Sequence, residues 1–228
     1  MKNFSKLEKR LGLEFKNKDL FKTVFVHRSY LNEHPDFPLP SNERLEFLGD
    51  AVLELIVTEH LYKNYTEPEG ILTAWRSALV RGKMLSRLAK KLDLPNYLFL
   101  SKGEAKSGGR NKEIILANTF EALIGAIYLD QGYKTAQEFV NYHLISHLPE
   151  IIEKRLYLDP KTRFQEIVQE KIGITPSYKL IKEEGPDHAK TFTMGVYIQD
   201  KLIAKGTGPS KQAAETQAAA KAIEIWEE

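Results

Sequence analysis

The sequence predicts a multidomain protein, an all-α domain followed by a small α-β-β-β-α domain. Three observations carry that reading. Apolar residues recur at helical spacing through roughly the first 150 positions. The character of the chain changes near Tyr157, Asp159 and Pro160. Beyond that point, three segments rich in β-branched and aromatic residues are bracketed by two helical stretches. The expected organisation is a first domain over 1–152, a linker over 153–158 and a second domain over 159–228.

In chain order, Asp19–His27 reads as a short apolar-rich helix, and His34–Pro40 as a proline-broken loop. Ser41 or Asn42 is a suitable N-cap for the helix that follows, which carries acids in its first turn and runs to about Tyr65, ahead of Pro68. A single helix is expected over Glu69–Leu92, a loop over Ser101–Lys112, and an apolar helix over Glu113–Leu129. Another helix, Lys134–Leu148, is expected to end at Pro149. Pro160 fits the first turn of a helix through Lys171 that stops at Gly173. Strands are expected over Ser177–Lys182, Thr191–Ile198 and Leu202–Thr207, with turns at Glu184–Asp187 and Gln199–Lys201. Ser210 then caps an alanine-rich helix to about Trp226.

Composition excludes several function classes. The chain has 228 residues and no cysteine, which removes disulfides, thiolate metal sites and cysteine nucleophiles, and suits the cytoplasm. Neither a signal-type apolar core nor an uncharged run of membrane-spanning length occurs. A net charge of +2 does not by itself announce a nucleic-acid partner. No Gly-x-Ser-x-Gly elbow or paired Glu-x-x-His motif is present, and His143 and His147, at i,i+4 without a matching acid, read as a solvated helix face.

The chemistry concentrates in Asn42–Leu55, where Glu43, Glu46, Asp50 and Glu54 follow at spacings of three, four and four. On a helix these carboxylates share one stripe, with Leu45, Leu48, Val52, Leu55 and Ile56 opposite. Like charges at i,i+4 repel, and no cation interrupts Glu46–Asp50–Glu54. A hard divalent cation would relieve that repulsion. Phe47 and Leu53, on or beside the acidic edge, suggest a partner subunit covering part of it. Asn118 and Glu121 share a face of a second helix, in an apolar run whose Ala122, Gly125 and Ala126 allow close approach. If the two helices pack together, Glu46, Asp50, Asn118 and Glu121 converge on one cation, with Glu69 as a further acid.

Other features suit phosphate. Lys106, Ser107, Gly108, Gly109 and Arg110 combine two glycines with cations. In Gly206–Lys211, backbone amides and a lysine meet at a helix start. Gln165 and Gln169 are i,i+4 on the preceding helix, and His188 lies on a turn. Three such contact points on one α-β-β-β-α unit match reading of duplex RNA by shape.

The segment Asn42–Leu53, N-E-R-L-E-F-L-G-D-A-V-L, resembles the signature of ribonuclease III. The G-P-D-H turn and the G-x-G-x-S-K-x-x-A-E start of the last helix resemble a double-stranded-RNA-binding domain. The resemblance covers nearly the whole chain, in the bacterial order. It implies a homodimeric, Mg²⁺-dependent endoribonuclease, with Mn²⁺ as a substitute, that dimerises through the signature helix. Its products would carry 5′-phosphate and 3′-hydroxyl ends with short 3′ overhangs, as in processing of ribosomal and messenger RNA precursors. It implies Glu46, Asn118 and Glu121 as metal ligands, Asp50 and Glu121 as catalytic, and Glu43 and Glu69 as acids near the substrate. It also implies RNA contacts from Lys106, Ser107, Gly108, Gly109 and Arg110, and from Gln165, Gln169, His188, Ser210 and Lys211. No membrane and no further protein partner is implied.

Two departures stand out. Asn118 occupies the position of a usual aspartate ligand, which implies weaker Mg²⁺ affinity and greater reliance on Mn²⁺. Gln212 stands where the binding module often has another lysine, implying one phosphate contact fewer. The alternative reading is a duplex-RNA-binding regulator whose cleavage is weakened or lost at Asn118. A helical nucleotide pyrophosphohydrolase also aligns acids in this way, but does not account for the second domain.

Overall fold

The computed structural model describes residues 2–186 and 189–227. The chain divides into two compact units, Met1–Lys154 and Arg155–Glu228.

The first unit is helical: α1 (Phe4–Leu11), α2 (Lys18–Thr23), α3 (Arg28–Glu33), α4 (Glu43–Asn64), α5 (Glu69–Val80), α6 (Gly82–Lys91), α7 (Lys102–Lys106), α8 (Glu113–His143) and α9 (Leu148–Glu153). At its centre α4 packs along α8. Leu53, Ile56 and Val57 of α4 and Phe120, Leu123 and Ile127 of α8 are fully buried. Phe15, Phe21 and Phe25 extend the core beneath the N-terminal helices, with Phe15 and Phe21 stacked at 4.2 Å between ring centroids. At about 25 cal/mol per Å² of apolar surface removed from water, such aromatics are among the largest contributors to this core.

Several boundaries differ from the sequence expectations, each for a local reason. The expected helix over Glu69–Leu92 is two, because Arg81 turns extended (φ −61°, ψ 142°) ahead of Gly82, a poor helix former. The expected loop over Ser101–Lys112 contains α7, whose first turn is capped by Ser101 Oγ accepting from the Glu104 N–H at 3.0 Å. Gly132 (φ 83°, ψ 177°) breaks α8 rather than separating two helices by a loop. Pro149 does not end a helix but lies in the first turn of α9, where its missing N–H costs nothing. Asn42 occupies the N-cap position of α4 without a side-chain cap bond. Its amide instead donates to the Val24 carbonyl at 3.0 Å, and its backbone N–H donates to the Val26 carbonyl at 2.8 Å. This pair of bonds pins the start of α4 against the segment leading into α3.

The second unit runs α10 (Pro160–Ile172), β1 (Ser177–Glu184), β2 (Thr191–Ile198), β3 (Lys201–Gly208) and α11 (Lys211–Glu227). The sheet is antiparallel in the order β1-β2-β3, with irregularities between Leu180 and Lys182 and between Val196 and Tyr197. Asp159 caps α10 by accepting the Lys161 N–H at 2.9 Å, and Gly173, left-handed at φ 70°, ends it. Phe164 and Val168 of α10, Val196 and Ala204 of the sheet, and Ala218, Ala219 and Ala222 of α11 form its core. The alanine run is thus the packing face of α11: small side chains let the helix lie close on the sheet. At Gly206 an added Cβ would stand 2.2 Å from the Ala214 carbonyl oxygen, so strand and helix meet backbone to backbone.

Candidate active site and RNA-binding surface

The active-site candidate is a cleft of about 660 Å³ lined by Glu43, Glu46 and Asp50 of α4 and by Asn118 and Glu121 of α8. Two glycines bring these helices together. A Cβ at Gly49 would lie 1.8 Å from the Glu121 carbonyl oxygen, and one at Gly125 would lie 2.4 Å from that of Leu45. No side chain fits at either place, so Glu46, three positions before Gly49, and Asp50, one after it, are held against the turn that carries Glu121. Five oxygen-bearing side chains from two helices therefore face one space.

Burial and mutual repulsion shape their charge. Glu121 is half-buried, and desolvation first, then the Asp50 and Glu46 carboxylates, push its pKa up to about 7. Glu46 is also raised by burial, with a hydrogen bond from the Asn118 amide opposing and Glu43 and Asp50 adding to the rise. Among the described residues, no three His, Cys, Asp or Glu side chains are drawn closely enough together to hold an ion by themselves. The donor set nonetheless suits a hard divalent cation that keeps part of its water shell: carboxylates and an amide oxygen, with no nitrogen or sulfur ligand.

The match to known proteins is extensive. The family model described as Ribonuclease-III-like matches residues 17–148, and that of the double-stranded RNA binding motif matches residues 160–225. Ribonuclease 3 of Pelotomaculum thermopropionicum is 45% identical over 218 residues, covering 95% of this chain and 90% of that one. The Enterococcus faecalis Ribonuclease 3 is 45% identical over 222 residues, covering 96% and 95%. The chain belongs to the ribonuclease III family. The nuclease domain of ribonuclease III from Campylobacter jejuni has a similar fold, with a TM-score of 0.59, 38% identity, and coverage of 64% of this chain and 99% of that one. That structure is described by flexibility in a region involved in dimer formation.

As a ribonuclease III, the chain is an endoribonuclease for double-stranded RNA, from a family of divalent-metal-dependent nucleases. Its residues divide as follows. Glu46, Asp50, Asn118, Glu121 and Glu43 meet in the cleft. Glu43 accepts from Ser41 Oγ at 2.9 Å and lies 3.6 Å from Arg28 Nη1. Glu69 lies apart from them within one chain. It borders a separate groove between α4 and α5 and accepts from Thr73 Oγ1 at 3.1 Å. Glu54 pairs with Arg76 at 3.2 Å.

Two expectations for α4 need correction. Leu53 is 0% exposed and fills the core of its own unit, so no partner subunit is needed to cover it. Leu55, placed on the buried side by periodicity, is 56% exposed. A central helix buries more than one narrow stripe, and α8 covers the arc that includes Leu53. Phe47, by contrast, is 82% exposed at the cleft edge, with Ile114 also exposed beside it.

The loop after α7 is less free than its composition suggests. Gly109 is buried, with room for no Cβ beside the Glu104 carbonyl at 2.7 Å, and Arg110 Nη1 donates to the Pro95 carbonyl at 2.6 Å. Lys106, Ser107 and Gly108 remain exposed. In the second unit, Gln165 and Gln169 are exposed on α10, and Gln169 donates to Thr175 Oγ1 at 3.1 Å. Ser210 Oγ accepts the Ala213 N–H at 3.1 Å, leaving Lys211 exposed at the start of α11. His188 lies outside the described residues.

His27 and Arg28 also line the cleft, and sequence reasoning did not single them out. Their only signal was a His-Arg pair directly after the apolar run Val24–Val26. Such a pair is common, and only the Asn42 bonds to Val24 and Val26 bring it to the acidic helix.

Proposed function

We propose that the enzyme cleaves duplex RNA as a homodimer, with Mg²⁺, or Mn²⁺ in its place, bound by Glu46, Asn118 and Glu121. The single observation that carries this is the convergence of α4 and α8 at Gly49 and Gly125, which gathers those side chains with Asp50 in one cleft. A divalent ion there supplies Lewis acidity and a nucleophilic water. Asp50, exposed at the mouth, faces the reacting phosphate, and Glu121, held ionised by the ion, would act beside it on the attacking water. Products carry 5′-phosphate and 3′-hydroxyl ends with short 3′ overhangs. Glu43 and, from its separate groove, Glu69 act near the substrate.

The first unit cuts and the second holds RNA through Gln165, Gln169, His188, Ser210 and Lys211, with the Lys106–Arg110 segment contributing from the first. Exposed Phe47 and Ile114 at the cleft edge support dimerisation through the signature helix. The absence of cysteine supports action in the cytoplasm, on ribosomal and messenger RNA precursors. Among the described residues, no helix is long and apolar enough to cross a membrane.

A second reading has one specific observation behind it. Asn118, a neutral partner of Glu46 where an acid would add charge, would on this reading leave a duplex-RNA-binding regulator with weakened or lost cleavage. Labelled duplex RNA, single-stranded RNA and nucleoside triphosphates, each incubated with Mg²⁺, Mn²⁺ or Ca²⁺, separate the cases. Cleavage of duplex alone supports the nuclease. Duplex retained but uncut in both Mg²⁺ and Mn²⁺ supports the regulator.

A further inference from the structure

This inference rests on the reading above, that the cleft takes the phosphodiester backbone of duplex RNA. The cleft is rich in acceptors: Glu43, Glu46, Asp50 and Glu121 line it, and Arg28 is the one Lys or Arg among the described residues that do so. A polyanion entering it needs N–H donors as well as a cation. The Asn42 amide is already committed to Val24 at 3.0 Å.

His27 supplies such a donor. It is the N-cap of α3: its Nδ1 accepts the Ser29 backbone N–H at 3.3 Å and stands 2.8 Å from Ser29 Oγ. Ser29 Oγ itself accepts the Ser101 N–H at 3.2 Å, which turns its own proton toward Nδ1. A backbone N–H only donates, so Nδ1 is the acceptor and the ring proton sits on Nε2. Burial, aided by Arg28 and Lys112 and opposed by Glu104 and Glu43, lowers the imidazole pKa, so the ring is neutral. No hydrogen bond to Nε2 forms among the described residues.

We infer that His27 contacts substrate, its Nε2–H donating to a non-bridging oxygen of an RNA phosphodiester beside the Arg28 guanidinium. The ring is held in one tautomer by α3 and Ser101, so the donor is oriented before RNA arrives.

His27→Asn separates this contact from simple capping. Asparagine is itself a good N-cap, but it has no N–H where Nε2 stands. The full chain is assayed in single-turnover cleavage of a labelled duplex RNA, with Mg²⁺ constant and KCl varied. His27→Asn is expected to melt like the parent and to need about tenfold more enzyme for half-saturation. Its salt slope should be unchanged, because a neutral donor is lost. Arg28→Gln should weaken binding and also reduce the slope by about one. His27→Gln, with an amide N–H near the Nε2 position, should recover most of the loss. If His27→Asn does not fold, the decision passes to His27→Gln against His27→Met, similar in reach but without a donor. Parental half-saturation in His27→Asn, or equal values for the Gln and Met variants, overturns the assignment. If the parent does not cut duplex RNA, the functional reading fails instead.

Discussion

The two units handle RNA with opposite physical strategies. The first gathers carboxylates by pressing two helices together until no side chain fits between Gly49 and Glu121, and so perturbs the groups it gathers. The second also uses glycines to seat β3 on α11 at Gly206 and Gly208, but there the gain is packing, and its polar groups stay in solvent. Chemistry calls for partly desolvated, mutually repelling acids, whereas shape-reading of a duplex calls for exposed donors at fixed separations. The same device, a backbone contact through glycine, serves a reactive cleft in one unit and a rigid platform in the other.

The contrast predicts where activity is lost. Glu121→Gln keeps the size of the side chain but replaces a charged ligand with a neutral one. Single-turnover cleavage should fall by about 10³-fold at saturating enzyme, with half-saturation little changed. Lys211→Ala should do the reverse: half-saturation should rise a few-fold and its salt slope fall by about one, at an unchanged maximal rate. If both variants move the same parameter, the division of labour is wrong.

The glycine contacts sharpen the comparison further. Gly49→Ala forces a methyl group into the α4–α8 contact and should destabilise the first unit by about 1–3 kcal/mol, with cleavage falling steeply. Gly206→Ala should cost a similar amount in the second unit, leaving the maximal rate intact. Calorimetry reporting each unit's transition checks this. A Gly49→Ala protein of parental stability and rate would show that the close approach does not hold the carboxylates in place.

Much of this was legible in the sequence, and the exceptions share a cause. Pro160 and Gly173 bound α10 as expected, and Ser210 caps α11, because these signals act within one turn of helix. The acidic stripe of α4 and the Asn118–Glu121 pair follow from helical spacing alone. What escaped depends on contacts distant in the chain. Leu53 and Leu55 changed places because α8 decides which arc of α4 is covered, and His27 reached the cleft through Asn42 bonding a segment 18 residues earlier. The glycines of the Lys106–Arg110 loop looked like a phosphate cradle, yet Gly109 is required by its closeness to Glu104.

Asn118 tests the cleft more gently. Its amide donates to Glu46, relieving the repulsion that an acid would add. Asn118→Asp should therefore lower the melting temperature in EDTA, yet lower the Mg²⁺ concentration for half-maximal cleavage by about tenfold, as a charged ligand replaces a neutral one. An unchanged metal titration would remove Asn118 from the ligand set.

The smallest expected effect is the most diagnostic of burial. Glu121, raised to about 7, keeps in the folded protein a proton that an unfolded chain releases near the ordinary carboxylate value. Folding then takes up a proton between those values. The associated stability is present below about pH 4.5 and is lost as pH rises through about 7. Glu121→Gln has no proton to lose. In EDTA, its melting temperature relative to the parent should rise by a few degrees from pH 5 to pH 8. At pH 8 Mg²⁺ should reverse that gain, because the ion replaces the missing proton in the parent and finds a neutral ligand in place of a charged one in the variant. A difference independent of pH would mean that Glu121 is not held in the half-buried, doubly repelled position where α4 and α8 place it.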